Sequence, residues 1–341
     1  MCVADLSKYT SLRVGGPAKN FIEVHNEREI IGAIESAGES PILIMGGGTN
    51  LLVSDDGFEG TVIRITNNSL QSEVDSCSGA TLTIGAGESW DDFVATTIER
   101  GFAGLETLSG IPGTVGATPI QNIGAYGHEV SEFITRVRTY DRIAKKVRTF
   151  TNQECEFSYR NSYFKAHPGR YVVLDVQFQL RLGEMTTPIT YSELASKLGI
   201  AVGAKAPTLQ TRRTVLELRA AKGMILSKED HDSWSAGSFF TNPIVSIETA
   251  AALPIDAPRW PTSDGRVKTS AAWLIEQAGV NKGDSFGGAR VSTKHVLALT
   301  NLGSATATDI AELAKSSRKA VYEKFGITLE AEVNLIGLSL N

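Results

Sequence analysis

The feature that most restricts this chain is the segment IPGTVGATPIQNIGAYG at residues 111–127. Here Gly113, Gly116, Gly124 and Gly127 stand with Pro112 and Pro119 and no charged side chain. Glycine loses more backbone freedom on folding than any other residue, so such a stretch is disfavoured unless something large lies against it. Gln121 and Asn122 offer amides to the polar edge of a heterocycle. Tyr126 offers a ring face or a hydroxyl, and the glycine backbone can line phosphates. A purely structural turn is the competing reading.

A second glycine cluster, MGGGTN at residues 45–50, lies between the apolar runs PILIM and LLV. Without a Cβ in the way, the N–H groups of Gly46, Gly47 and Gly48 can approach an anion closely, and Thr49 and Asn50 add side-chain donors. A dinucleotide fingerprint of the Rossmann type would need GxGxxG opening a helix, whereas this loop runs into another strand pattern. A plain hairpin turn therefore stays open as its explanation.

Composition narrows the classes. At 341 residues the chain exceeds the roughly 250–300 residues at which one core stops growing, so two or three subdomains and a cleft are expected. A net charge of -5 gives no footprint for nucleic acid, which is held by clustered Lys and Arg. The beginning MCVAD lacks a basic region followed by an apolar core, and no apolar run reaches the ~18 residues of a membrane span, so a cytoplasmic enzyme is expected. Cys2, Cys77 and Cys155 form no CxxC and read as free thiols. The five histidines show no HxH or HExxH spacing, so no metal site is expected.

Short β-rich runs at residues 41–45, 51–53, 61–65 and 81–84 alternate with glycine turns, giving an α+β region over residues 14–185. Residues 90–100 place Trp90, Phe93, Val94 and Ile98 on one helical face before Gly101. Beyond residue 182, helical patterns cover 208–221, 269–277 and 308–325, which suggests a second α+β domain at 206–326. Residues 327–335 alternate with period two. That pattern predicts a strand with Glu330 and Glu332 on one face and Ile327, Leu329, Ala331, Val333 and Leu335 on the other, and the segment 327–341 is expected to return to the first region.

MGGGTNLLV followed by the 111–127 segment resembles the FAD-binding region of the UDP-N-acetylenolpyruvoylglucosamine reductase family. FSYRNSYFK (157–165), AGSFFTNPIV (236–245) and LEAEVNLIG (329–337) extend the resemblance in family order over nearly the whole chain. The resemblance implies a vanillyl-alcohol-oxidase-type (PCMH-type) FAD-binding fold of two α/β subdomains plus a C-terminal α+β substrate-binding domain. It implies FAD on Gly46, Gly47, Gly48, Thr49, Asn50 and Leu51. The second loop would add Pro112, Gly113, Thr114, Gly116, Gln121, Asn122, Gly124, Ala125 and Tyr126. No histidine lies between His25 and His128, so the covalent tether of many relatives of that fold is not expected.

By the same resemblance, NADPH reduces FAD, the flavin delivers hydride to C3 of UDP-N-acetylglucosamine enolpyruvate, and an acid protonates C2, giving UDP-N-acetylmuramate for peptidoglycan. Arg160, Glu332 and Ser238 match the catalytic positions. Arg160 suits a carboxylate because its guanidinium stays charged and donates in pairs. Glu332 would help to stabilise the enolate-like intermediate, and Ser238 would supply the proton. Tyr159, Tyr191, Arg219, Lys222, Asn242 and Lys268 are the substrate-binding candidates, with Arg219 and Lys222 three apart on one side of a helix or its exit turn. Tyr191 matches the substrate-loop tyrosine of one subclass. A monomer is expected.

The chain departs from the family pattern in two places. GMILSKEDHDSWSAG replaces a proline-containing link, which puts the register of Lys222 in doubt, and Ala117-Thr118 replace a serine pair. An FAD oxidase acting on an alcohol or lactone and a noncatalytic flavin carrier are the alternative readings. The first predicts rapid reaction with oxygen; the second predicts FAD binding without NADPH oxidation.

Overall fold

The computed structural model describes residues 2–341 and is mixed α+β, as expected. The chain divides into two compact units, Met1–Ala4 with Ala18–Gly47 and Glu59–Ala221, and Asp5–Pro17 with Gly48–Phe58 and Lys222–Asn341. Among the described residues no helix is long and apolar enough to cross a membrane.

The first unit is built on two sheets. One runs in the order Cys2–Asp5, Pro17–Val24, Phe58–Ile65, Ile42–Met45, its last pair parallel. The larger orders Lys146–Thr151, Ile134–Asp141, Tyr171–Leu182, Gly79–Gly85 and Leu70–Asp75, all antiparallel. Tyr171–Leu182 is central, and from Val172 to Leu180 its apolar residues are buried. Helix Trp90–Glu99 buries the expected face, Trp90, Phe93, Val94 and Ile98. Trp90 and Phe93 meet Phe178 of the central strand at 6.0 and 5.1 Å between ring centroids. Each such side chain contributes about 1.5–3 kcal/mol by leaving water.

The second unit gathers its core from Leu12, Val14 and Leu52 together with Phe239, Phe240, Leu274, Ile310 and Leu329. Its longest helix, Ala307–Phe325, starts at a capping box of Thr306 and Asp309 and ends at Gly326 with φ 67. Asp55 extends the cap, accepting from the N–H groups of Ala307 and Thr308 at 2.7 and 3.0 Å.

Three expectations are corrected. The compact units are discontinuous, and helix Thr208–Ala221 lies in the first one, so the border falls after residue 221 and not near 206. The hairpin reading of MGGGTN fails because its flanking strands do not pair: Ile42–Met45 joins Phe58–Ile65, and Leu51–Val53 joins Asn334–Ile336. The C-terminal strand is confined to Asn334–Ile336. Residues 327–333 keep the predicted alternation, with Ile327, Leu329 and Val333 buried and Glu330 exposed, but the run holds only an isolated bridge from Ala331 to Phe240. Periodicity reports which side is buried, not which backbone partner is present.

Asp141 closes the turn after strand Ile134–Asp141. It takes a forked bond from Arg170, with contacts of 2.8 and 3.2 Å, and also accepts from the N–H groups of Ile143 and Ala144. The Arg170 guanidinium is the main reason its pKa falls to about 2. A depressed carboxyl contributes stability above its unfolded pKa and loses it as pH falls through the folded one. Asp141→Asn should therefore be less stable than wild type at neutral pH. The gap in urea midpoints should close between about pH 4 and pH 2, and a gap constant with pH would refute the assignment.

Candidate active site

In the first unit, residues 113–116 run beside residues 86–90. Trp90 N donates to Gly113 O at 3.1 Å, Val115 N to Glu88 O at 2.9 Å and Gly116 N to Ala86 O at 2.8 Å. A Cβ on Gly116 would lie 2.5 Å from Ala86 Cβ, so this glycine is required by packing. A Cβ on Gly46 would lie 2.2 Å from Thr114 Oγ1. The two glycine clusters therefore meet, Gly46 against Thr114, across more than sixty residues of sequence. Such a bare backbone cradle fits a pyrophosphate.

The segment continues through a 3-10 turn Val115–Ala117 and a short helix Thr118–Gln121, which Asn122 ends in the left-handed region at φ 42. Asn122 is fully buried; its amide donates to Glu129 and to Ser158 O, and its Oδ1 accepts from Ser131 N. Its role in the structure is therefore to hold the loop. Gly124–Ala125 then pairs with His128–Glu129 around Tyr126 and Gly127, whose φ values of 51 and 91 are both positive. A two-residue hairpin turn of this kind favours Asn-Gly, so a tyrosine in its first position carries strain of a kind that clusters at functional sites.

Arg160 sits at a second tight turn, closed by reciprocal bonds between Ser158 and Asn161, and has φ 51. Its Nη2 donates to Gly124 O at 2.8 Å and its Nη1 reaches Asn122 O at 3.5 Å. The guanidinium carbon lies 5.4 Å from the ring centre of Tyr159. The structure thus brings together Asn122, Gly124, Tyr159 and Arg160. Tyr191 stands edge-on to Tyr126 at 5.5 Å, and its ring is exposed. Burial pushes the Tyr126 phenol up to about 12, so it remains a neutral hydroxyl at working pH.

Arg219 lies in the last turn of helix Thr208–Ala221, and Lys222 follows at its exit. The Arg219 Nε donates to Gly110 O at 3.0 Å. Burial lowers the Arg219 guanidinium from its usual range, while the Tyr126 and Asp91 charges oppose the shift. Two residues that local sequence signals did not reveal complete this support. Asp91 accepts from Gly110 N at 2.6 Å and from Arg212 at 2.6 and 2.9 Å. Burial alone would raise the Asp91 carboxyl, but Arg212 and the Gly110 N–H outweigh it and hold it below the usual carboxylate range. The 121-residue separation of this pair explains why no motif reports it.

The second unit assembles the other candidates. Glu332 N donates to Phe239 O at 2.8 Å, and Phe239 N donates to Leu297 O at 2.7 Å. Ser238, beside Phe239, bridges Ala298. The expected pair Ser238 and Glu332 therefore lies on adjoining backbone, pinned by the buried Phe239 and Phe240. Asn50 Nδ2 donates to Glu332 O at 3.1 Å, and Asn50 O accepts from Asn334. Asn242 Oδ1 accepts from Ala271 N at 2.9 Å, holding a helix start. Lys268 pairs with Trp260 across the sheet and lies 5.8 Å from its ring centre.

The departure SKEDHDSW forms a built turn. Buried Asp232 accepts from Thr293 Oγ1 at 2.5 Å, Thr293 N at 3.1 Å and Arg290 at 3.2 Å. Trp234 stacks on His231 at 4.0 Å and lies under Arg13 at 4.1 Å.

Family models match two parts of the chain, an FAD binding domain at residues 18–149 and a UDP-N-acetylenolpyruvoylglucosamine reductase C-terminal domain at residues 229–336. The chain is 51% identical to the UDP-N-acetylenolpyruvoylglucosamine reductase of Cutibacterium acnes, over 98% of this chain and 90% of that protein. It is 47% identical to that of Streptomyces coelicolor, over 99% and 90%. The crystal structure of UDP-N-acetylenolpyruvylglucosamine reductase from Thermus caldophilus superposes with a TM-score of 0.67 at 27% identity, covering 98% of each chain.

Gly116→Ala should cost about 1–3 kcal/mol of stability, the usual range for a methyl forced into a packed site. Urea denaturation measures it, and a wild-type midpoint would show that residues 86 and 116 do not pack as described.

Proposed function

The chain belongs to the UDP-N-acetylenolpyruvoylglucosamine reductase family, and from that membership we propose that it reduces UDP-N-acetylglucosamine enolpyruvate to UDP-N-acetylmuramate with NADPH as reductant. The observation that carries the residue-level reading is Phe239, whose backbone joins the Ser238 loop to Glu332.

FAD fits the first unit's cradle. Gly46, Gly113, Thr114 and Gly116 would face its phosphates, and Gln121 to Tyr126 would flank its ring system. Thr49, Asn50 and Leu51 continue the first loop, and attachment is noncovalent. FAD held there would supply two-electron chemistry, relaying hydride between NADPH and C3 of the enolpyruvyl group. This chain's residues do the rest. Arg160, already turned by its bonds to Gly124 and Asn122, donates to the substrate carboxylate and holds the charge that develops there. Glu332 assists the same intermediate, and Ser238 gives its hydroxyl proton to C2. Tyr159, Tyr191, Asn242, Lys222 and Lys268 contribute to substrate binding. Arg219 serves the loop at Gly110 in addition to any part it plays toward the diphosphate. The enzyme acts as a cytoplasmic monomer.

Ser238→Ala should slow reoxidation of reduced flavin by the enolpyruvyl substrate by ~10²-fold or more, the scale of general acid catalysis, while flavin reduction by NADPH is spared. Stopped-flow absorbance separates the two half-reactions. Survival of both at wild-type rate removes Ser238 as the acid. A protein that stays colourless after incubation with FAD removes the flavin reading itself.

A further inference from the structure

Lys165 lies in the short helix Tyr163–Ala166. Its Nζ donates to Gln121 Oε1 at 3.0 Å and to the Arg160 carbonyl at 2.8 Å. Ser162 anchors the helix, its Oγ accepting from Lys165 N at 3.2 Å and donating to Ile120 O at 2.8 Å. One ammonium therefore joins the glutamine of the glycine-rich segment to the peptide of the arginine turned toward that segment.

Two effects follow from elementary chemistry. An ammonium only donates, and a carboxamide has one accepting and one donating end. Lys165 therefore fixes the Gln121 oxygen toward itself and directs the two Gln121 N–H donors away from it. Arg160 is in the left-handed region, which disfavours a non-glycine residue. The charge-assisted bond to its carbonyl helps to hold that turn, and the turn in its guanidinium places Nη2 on Gly124 O.

We propose that Lys165 is a positioning residue for the reductase reaction, setting the orientation of Gln121 and the turn of Arg160 together so that flavin and substrate carboxylate meet prearranged donors. It touches neither reactant and acts through those two residues. The proposal rests on the reductase function given above.

The test uses the FAD-loaded protein. Lys165→Met should slow the step in which enolpyruvyl substrate reoxidises reduced flavin by about 10- to 100-fold, the scale of a misplaced catalytic group. Flavin reduction by NADPH should change by less than about threefold, and the thermal midpoint should be nearly unchanged. Ethylammonium should restore the substrate step saturably in Lys165→Ala, a readout that a merely structural lysine would not move. Because Lys165 acts partly through Gln121, Gln121→Leu combined with Lys165→Met should be less than multiplicative. Equal slowing of both half-reactions, wild-type rates, or no rescue by the amine overturns the proposal. If Lys165→Met does not fold, Lys165→Arg, which keeps the charge but moves it, should show the same selective slowing to a smaller degree, and a nonselective effect again overturns it. A wild-type protein that holds FAD but fails to turn over the substrate overturns the functional reading first, whereas a fully active Lys165→Met overturns only the positioning role.

Discussion

The bond from Arg160 Nη2 to Gly124 O is the constraint on which the first unit's site depends. It joins two turns that are each unfavourable alone, one with Arg160 at φ 51 and one with Tyr126 at φ 51. Strained backbone persists where the surroundings over-determine it, and here the surroundings are extensive. The front of the glycine segment is held at Gly110 by Asp91 and Arg219, its middle at Gly116 by Ala86, and its end by Arg160 and the buried Asn122. A segment rich in glycine is thereby denied much of its freedom before any ligand arrives. The ordering cost is met in folding, and binding can proceed without it.

This alters the meaning of the glycines themselves. The sequence reading ascribed them to a ligand lying against the backbone, yet Gly116 is demanded by Ala86 and Gly127 by a tight turn with φ 91. Gly46 remains the glycine whose missing side chain lets one cluster approach the other at Thr114. The glycines therefore have mixed causes, some structural and some those of a binding cradle. Charge follows a similar pattern. In a chain of net charge -5, Arg160, Arg219 and Lys165 are individually held, each donating to a carbonyl. That arrangement suits a local anionic ligand and not a long polyanion.

What could be read from sequence was what repeats locally. Helix Thr208–Ala221 has the expected limits, and the buried face of Trp90–Glu99 was given by its 3.6-residue spacing. The alternation over 327–335 identified Glu330 as exposed. What escaped depends on distant pairing. The discontinuous units arise because Leu51–Val53 finds its partner at Asn334–Ile336, and nothing near residue 51 encodes that choice. The Asp91–Arg212 pair escaped for the same reason. Lys165 was in view within its motif, but an ammonium on two neutral oxygens leaves no compositional trace.

In the second unit, the proposed proton donor Ser238 is held by backbone contacts that leave no strong local signal in the sequence. Ser238 stands between Gly237, at φ 73, and Phe239, whose N–H and carbonyl are bonded to Leu297 and Glu332. Both backbone groups of Glu332 are likewise engaged, its N–H by Phe239 and its carbonyl by Asn50. Main-chain bonds therefore set the spacing of the two residues. If the two residues act as proposed, such fixing would remove orientational entropy from the barrier and offset the modest acidity of a hydroxyl. The buried pair Phe239 and Phe240 makes the arrangement stiff, since a shift of Ser238 would have to displace two close-packed rings 5.1 Å apart.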